Sequence, residues 1–437
     1  MATSQQLRSA SERNTRSTVT VHLGEEGIPV GELSFVQQGH RQFSVFSYAA
    51  SWLANPIRFE VSPDLALTTG FQTRKAGEGA DSVFHLALAD TAPDAWGRKV
   101  IDRAHAKARR SNSGLKPLTE LDYLCAVDDF SRVGALRLHH NCKYLGSSQE
   151  GQRSTPPFIE LQLLYAATRA LETDQETAQD LAYLQGRGTS LGGMRPKCTV
   201  LDFDGFLAIG KFPSVSDGHN VTRAEVLALR LATLAGIRTA QARCVSLDGV
   251  PVAIVRRFDR TADQKRIPYL SAASLIQASR NEDRAYTEIV DTLKTIGSQP
   301  LLDARELWRR MAFNLMITNT DDHLHNTGFL YDGHGRWRLA PAFDLNPMPG
   351  KLRESKTWLS EDSGPIDDIA ALLDQCAYFA FSREEALQAL SEVLSATSQW
   401  RKVAVSAEVG LSARELLDLD DAFEHSQAEV ARSLCGV

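Results

Sequence analysis

Residues 313–330 read FNLMITNTDDHLHNTGFL, and what surrounds them decides the fold. In the preceding stretch ELWRRMAFNLMITN, Trp308, Met311, Ala312, Leu315 and Met316 recur at i, i+3, i+4, i+7 and i+8. That spacing is one face of a helix, so the stretch predicts a core-packed helix that ends just before the acidic pair. Asp321 and Asp322 then fall in a loop. Downstream, GFLYDGHGRWRL reads as two short strands joined around Asp332-Gly333 and Gly335, a hairpin by its turn residues. The hairpin delivers APAFDL, with Asp344, at its far end.

A helix, a loop with Asp and Asn five residues apart, a hairpin and a further Asp is the order of a phosphoryl-transfer segment. That chemistry needs one carboxylate to accept a hydroxyl proton, and an amide and a second carboxylate to hold Mg²⁺ across nucleotide phosphates. Asp321 fits the base, Asn326 and Asp344 the metal ligands, and His323 a donor to the transferred group or a brace for the loop. Two other readings stand beside this one. Asp and Asn are common turn formers. His323 and His325 form an HxH pair, which on a β-strand would present both imidazoles on one face, as in a metallohydrolase. A catalytic zinc needs a third ligand, and His139, His140 and His219 offer no recognisable spacing.

Three upstream stretches bear on the same choice. SLGGMRPK, residues 190–197, is neither a Walker A loop nor a dinucleotide fingerprint, yet Gly192 and Gly193 would let backbone N–H groups approach an anion, beside Arg195 and Lys197. A glycine turn between helix and strand is the plainer alternative. Lys211, in LAIGKF, leaves a strand of buried character, and Glu225, in the helix RAEVLAL, is the kind of partner that aims a lysine at phosphates. AIVRRFDR is an apolar strand running out into polar residues, where a nucleotide base would find backbone hydrogen bonds. There Phe258 either packs on the base or belongs to the core.

Composition narrows the class. The chain has 437 residues, 43% of them hydrophobic, enough for two or three domains with their own cores. Six scattered cysteines without CxxC spacing argue against a zinc ribbon or a disulfide framework and suit a reducing cytoplasm. A net charge of −6 without a lysine-rich block disfavours autonomous DNA binding. The first eighteen residues are polar, so a frayed N-terminus is expected, and no run approaches the roughly 20 apolar residues of a membrane span. Period-2 patterning from Thr18 to about Glu60 predicts a small N-terminal sheet, and FHLALADTAPDAWGRKVIDRAHAKA predicts a helix after it. GSSQEGQRSTPP, 146–157, is either a linker or a solvated loop. From residue 284 most of the chain reads as helix.

Taken in order, LADTAPDAWGR, DYLCAV…RVGAL, SLGGMRPK, LAIGKFPS, RRFDR, FNLMITNTDDHLHNTGFL and WRLAPAFDLNP resemble the HipA family of serine/threonine protein kinases, toxin components of bacterial toxin–antitoxin pairs. The resemblance implies an α+β, bilobal protein-kinase-like fold: a β-rich N-terminal subdomain (18–114), a kinase N-lobe region with a glycine-rich loop (115–257) and a mainly helical C-lobe with the catalytic loop (258–437). It implies a Mg-ATP-dependent kinase with Asp321 as catalytic base, Asn326 and Asp344 on Mg²⁺ and Lys211 on the ATP phosphates. The glycine-rich loop would add phosphate contacts, and Arg256, Arg257 and Phe258 would line the adenine site. Ser190 takes the position of a serine whose autophosphorylation expels that loop and inactivates the kinase. It further implies an aminoacyl-tRNA synthetase as substrate, a HipB-like helix-turn-helix antitoxin as partner, and DNA contact only through that partner. A catalytically weak member acting mainly in a repressor complex is the alternative. Two features depart from the family's pattern. His325 stands before the metal-binding Asn where Lys is usual, and the loop is of the Gly-Gly-x-Arg-Pro-Lys kind. The first makes the local charge lower and pH-sensitive.

Overall fold

Alternating burial along the first strands shows how the N-terminal sheet forms. In β1 (Asn14–Leu23) Val19, Val21 and Leu23 are buried, while Thr18, Thr20 and His22 between them are not. β1 pairs antiparallel with β2 (Ile28–Gln38), which pairs with β3 (Arg41–Tyr48). A period of two with one apolar face requires a cover on that face. Trp52, on the short helix α1 (Ala50–Leu53), and Phe84 supply part of it, in one buried cluster with Leu33 of β2 and Phe46 of β3. The computed structural model describes residues 14–39, 41–76, 82–146, 160–184, 193–279, 282–350 and 354–436. The strand begins at Asn14, four residues ahead of the sequence-based start.

The sheet runs β4-β3-β2-β1-β5-β6, where β4 is Gln72–Lys75, β5 Leu136–His140 and β6 Lys143–Tyr144. β5 therefore returns to the N-terminal sheet from beyond residue 114. The traffic runs the other way too. The stretch predicted as one helix is two, α2 (Leu86–Ala89) and α3 (Ala95–Ser111), because Pro93 interrupts it and Asp94 caps α3 by accepting the Gly97 N–H. Trp96 and Val100 of α3 pack with the residues of a second core, not the first. The boundary drawn at 114 thus cuts across both cores.

After α4 (Glu120–Ala126), that second core is built from α5 (Leu161–Glu172), α6 (Ala178–Leu184) and a four-stranded sheet. Its strands are β7 (Lys197–Leu201), β8 (Leu207–Lys211), β9 (Ala242–Leu247) and β10 (Val250–Arg256), in the order β7-β8-β10-β9. α7 (Val221–Leu234) is buried nearly all round and lies between this sheet and the helical part. Most of the proposed linker at 146–157 and residues 190–192 of the glycine-rich stretch lie outside the described residues.

β11 (Tyr269–Ser271) pairs with the predicted hairpin, β12 (Gly328–Gly333) and β13 (Arg336–Leu339). Between them come α8 (Ala272–Leu275), α9 (Tyr286–Ile296) and α10 (Pro300–Met316). Trp308, Met311, Ala312, Leu315 and Met316 of α10 are all buried, as the period predicted. The Trp308 indole also donates to the Leu372 carbonyl at 3.0 Å. A short strand β14 (Trp358–Ser360) and helices α11 (Ile369–Asp374), α12 (Arg383–Thr397), α13 (Trp400–Ala404), α14 (Ala413–Phe423) and α15 (Ser426–Cys435) complete the C-terminal part. The architecture is α+β, with β-rich N-terminal parts and a mainly helical C-terminal one.

Candidate active site

The last residue of β8 and the second turn of α7 meet across the second core. Lys211 Nζ lies 2.5 Å from Glu225 Oε1 and 2.7 Å from Asp344 Oδ1. Glu225 is buried and Asp344 four-fifths so, which makes this a charged triad inside the protein. Burial would lower the Lys211 ammonium, but the facing Asp344 and Glu225 carboxylates outweigh it and hold it above its ordinary value. Burial likewise works to raise Asp344, yet Lys211, with Lys197 behind it, keeps that carboxyl well below the usual range. Glu225 stays raised, because burial outweighs Lys211 there. Asp344 sits at φ +56°, a left-handed conformation that an Asp adopts more readily than most residues.

Lys197 does not point into open solvent. Its ammonium is 3.1 Å from Asp94 Oδ2, and both side chains are almost fully buried. Gly193, at φ +103°, lies close enough that a Cβ there would come within 2.8 Å of Lys197 Nζ, so glycine is the residue this approach tolerates. Its carbonyl accepts the Trp96 N–H at 3.4 Å, tying the loop to the start of α3. Arg195 is paired with Asp217. Ser190 and Gly192 lie outside the described residues.

On the other side, α10 ends at Met316 and the chain turns through Thr318, whose hydroxyl donates to the Ala422 carbonyl at 3.0 Å. Asp321 is part-exposed and ion-paired with Lys356. Asn326 closes the loop by donating Nδ2 to the Asp321 carbonyl at 2.7 Å, which leaves its amide oxygen available. Asp322 faces inward. It accepts the Lys356 backbone N–H at 2.7 Å and the Tyr286 hydroxyl at 3.2 Å. Burial pushes its carboxyl up to about 6 in spite of these donors.

His323 and His325 are not on a strand. His323 precedes and His325 lies within a single 3₁₀ turn, Leu324–Asn326, with rings 5.9 Å apart at 68°. His325 is exposed and His323 mostly buried, its Nδ1 without a hydrogen-bond partner. Burial lowers the His323 imidazole, while the charges acting on it include Asp321, His325, Lys356 and Asp344. The base loop and the metal-side carboxylate therefore share one electrostatic neighbourhood. Among the described residues no three His, Cys, Asp or Glu side chains cluster as a metal site. The geometry thus disfavours the metallohydrolase reading.

The donor set suits a hard cation instead. Asp344 is ionised, Asn326 has a free amide oxygen, and Asn346, which donates to Asp344 Oδ1 at 3.3 Å, has a buried Oδ1 with no partner. Oxygen ligands of this kind fit Mg²⁺ better than Zn²⁺.

Residues 189–400 match the sequence model of the HipA-like C-terminal domain. This stretch, just under half of the chain, is similar to that domain. Two curated relatives match less of it. "Putative kinase Y4mE" of Sinorhizobium fredii is 26% identical over 184 residues, 38% of this chain and 44% of that protein. A "Putative kinase" of Haemophilus influenzae is 25% identical over 187 residues, 37% of this chain and 54% of that protein. The matched span is about half the length of either relative. Among solved structures, Shewanella oneidensis HipA, in a complex with HipB and operator DNA, superposes with a TM-score of 0.67 at 16% identity, over 95% of this chain and 96% of that one. That likeness establishes the shared fold.

Within the HipA-like domain two sequence assignments need correction. Arg257 does not face a nucleotide. Its guanidinium is buried, donates to Asp259 Oδ1 at 2.8 Å, and reaches the Ser131 and Arg132 carbonyls. Arg256 packs its guanidinium over the Phe206 ring at 3.5 Å and pairs with Asp204. RRFDR is thus largely a structural clamp. Asp259 also takes Arg260 and the Gly134 N–H, and burial is overcome by the two guanidiniums, which hold it well below the usual carboxylate range. Phe258 remains beside the site, its ring 5.3 Å from that of Phe343, the residue before Asp344.

The sequence reading left out Asp94, Asn346 and Lys356. Asp94 could have been suspected, since it follows Pro93 at a helix start. Lys356 carried no signal, because nothing local ties it to a loop 35 residues upstream.

Proposed function

We propose that this chain is an ATP-dependent serine/threonine protein kinase. The observation that carries the reading is the buried Lys211, Glu225 and Asp344 triad, together with a loop that holds Asp321 and Asn326 in hydrogen-bond contact. A lysine fixed by a helix glutamate suits the α- and β-phosphates, and a carboxylate on an exposed loop suits a protein hydroxyl. In the reaction the substrate oxygen attacks the γ-phosphorus, the bond from that phosphorus to the bridging oxygen breaks, ADP leaves, and the hydroxyl proton passes to Asp321. Asp344 and Asn326 would hold Mg²⁺, which would neutralise charge on the nucleotide phosphates. Phe258 and Phe343 offer an aromatic wall for a base.

The finer reading follows the HipA family. A component of the translation apparatus, an aminoacyl-tRNA synthetase, is the proposed protein substrate. A HipB-like helix-turn-helix antitoxin is the proposed partner. The net charge of −6 agrees with DNA contact through that partner alone. Among the described residues no helix is long and apolar enough to cross a membrane. Ser190 is the proposed autophosphorylation site.

Transfer of radiolabelled γ-phosphate to the chain itself or to lysate proteins tests the activity. Asp321→Asn should lower kcat by roughly 10²–10⁴-fold, the usual contribution of a general base, and Asp344→Asn should abolish metal-dependent transfer. Label incorporation by both variants at the wild-type rate would defeat the proposal. Phosphoproteomics after induced expression, wild type against Asp321→Asn, identifies the substrate.

A further inference from the structure

Phosphoryl transfer builds up charge on the three equatorial oxygens of the moving group, and a fixed cation aimed there stabilises it. The loop 321–326, DDHLHN, contains no lysine or arginine. Lys211 is held between Glu225 and Asp344, and Lys197 rests against Asp94. These two lie about Asp344, whose carboxylate both act on.

Lys356 stands on the other side. Its ammonium is ion-paired with Asp321, the proposed base, and its side chain is 56% exposed, open to an incoming group. Its backbone is fixed from several directions. The Lys356 N–H donates to Asp322 Oδ1 at 2.7 Å, the Thr357 hydroxyl to the Asp322 carbonyl at 2.7 Å, and the Trp358 N–H to the Arg284 carbonyl at 2.9 Å. Asp322 is buried and linked to Tyr286 on α9, so this anchor belongs to the core of the helical part. A long flexible side chain on so fixed a backbone sweeps only the space around Asp321. Both Lys356 and Asp344 also act electrostatically on His323, which lies in the same loop as Asp321.

We propose that Lys356 is a catalytic residue, the cation that bridges the Asp321 carboxylate and an oxygen of the transferring γ-phosphoryl group. An ammonium has three N–H donors, so it can keep Asp321 and take a phosphoryl oxygen at once. The substrate proton still goes to Asp321. Before nucleotide arrives, the pairing holds the base oriented. Asp322, buried beneath, is a positioning residue that fixes the Lys356 backbone. This role rests on the kinase reading above.

The test uses the full chain, radiolabelled ATP and dephosphorylated casein as acceptor, with the variants Lys356→Ala, Lys356→Gln and Lys356→Arg. Loss of one transition-state donor should lower kcat about a hundredfold in the Ala and Gln variants. KM for ATP should stay within about twofold, and ADP, which lacks the γ-phosphate, should bind as to wild type by calorimetry. Lys356→Arg should recover part of the rate. Wild-type kcat in Lys356→Ala would overturn this inference and leave the kinase reading standing. Equal weakening of ADP and ATP binding, or an Arg variant as slow as Ala with a lowered melting temperature, would overturn it in favour of a structural role. A wild type that transfers no phosphate would overturn both.

Discussion

Asp322 should make the stability of the helical part fall as pH rises from about 4 to 7, and Asp322→Asn should remove that dependence. The carboxyl is buried, with the Lys356 N–H at 2.7 Å and the Tyr286 hydroxyl at 3.2 Å as donors. Burial raises it from 3.8 to about 6. A group whose folded pKa lies above its unfolded value contributes stability that is complete below the unfolded pKa and is lost as pH rises through the folded one. The separation is about two pH units at about 1.36 kcal/mol each, hence roughly 3 kcal/mol between pH 4 and pH 7. Asparagine keeps a carbonyl for the Lys356 N–H, its amide can face the Tyr286 oxygen, and it carries no charge. The variant should therefore match wild type near pH 4 and exceed it by roughly 3 kcal/mol at pH 7, from the same linkage. Urea unfolding followed by tryptophan fluorescence reads this, since Trp308 and Trp400 are buried in the same part. A difference that stays flat with pH, or a wild type that gains on the variant as pH rises, would refute the reasoning.

Three further outcomes follow from the ion pairs and the histidines. Lys211→Ala leaves Glu225 and Asp344 facing each other without their cation, and should cost about 3–5 kcal/mol in chemical denaturation as well as nucleotide-dependent transfer. Arg257→Ala should cost a similar roughly 3–5 kcal/mol by breaking the buried pair with Asp259, while calorimetric ADP affinity stays within about twofold. A large loss of affinity without loss of stability would restore Arg257 to the nucleotide site. Elemental analysis should find no stoichiometric zinc, and one zinc per chain lost in His323→Ala would revive the metallohydrolase reading.

The parts of the site that were legible in the sequence are those whose chemistry is local. The α10 face from Trp308 to Met316 was readable because a buried helix face repeats every three to four residues. The Asp321 to Asn326 spacing was readable because the loop closes on itself, through one amide-to-carbonyl hydrogen bond. Lys211 and Glu225 could be paired in advance because a lysine at the end of a buried strand needs a nearby carboxylate.

Other readings failed where the partner was remote. The Arg256, Arg257 and Phe258 stretch looked like one strand exit facing a ligand. Asp259, two residues past Arg257, and carbonyls more than a hundred residues upstream turned Arg257 inward instead. The histidine pair, a metal-site alternative that needed a strand and a third ligand, lies at a 3₁₀ turn instead. The N-terminal boundary failed because α3 packs its Trp96 face on one core while β5 returns to the sheet of the other.

The sequence by itself thus marked the α10 face, the hairpin and the principal candidate residues, Asp321, Asn326, Asp344, Lys211 and Glu225, since periodicity and spacing are properties of neighbours along the chain, while the α+β class was implied by the family resemblance. Only the tertiary structure decided which charges meet. Lys197 finds Asp94 from the start of α3, and Lys356 finds Asp321 from a segment fixed on buried Asp322. Such pairs are chosen by packing, because a buried charge stays buried only where the fold brings its counter-charge, and that meeting leaves no periodic trace in the chain.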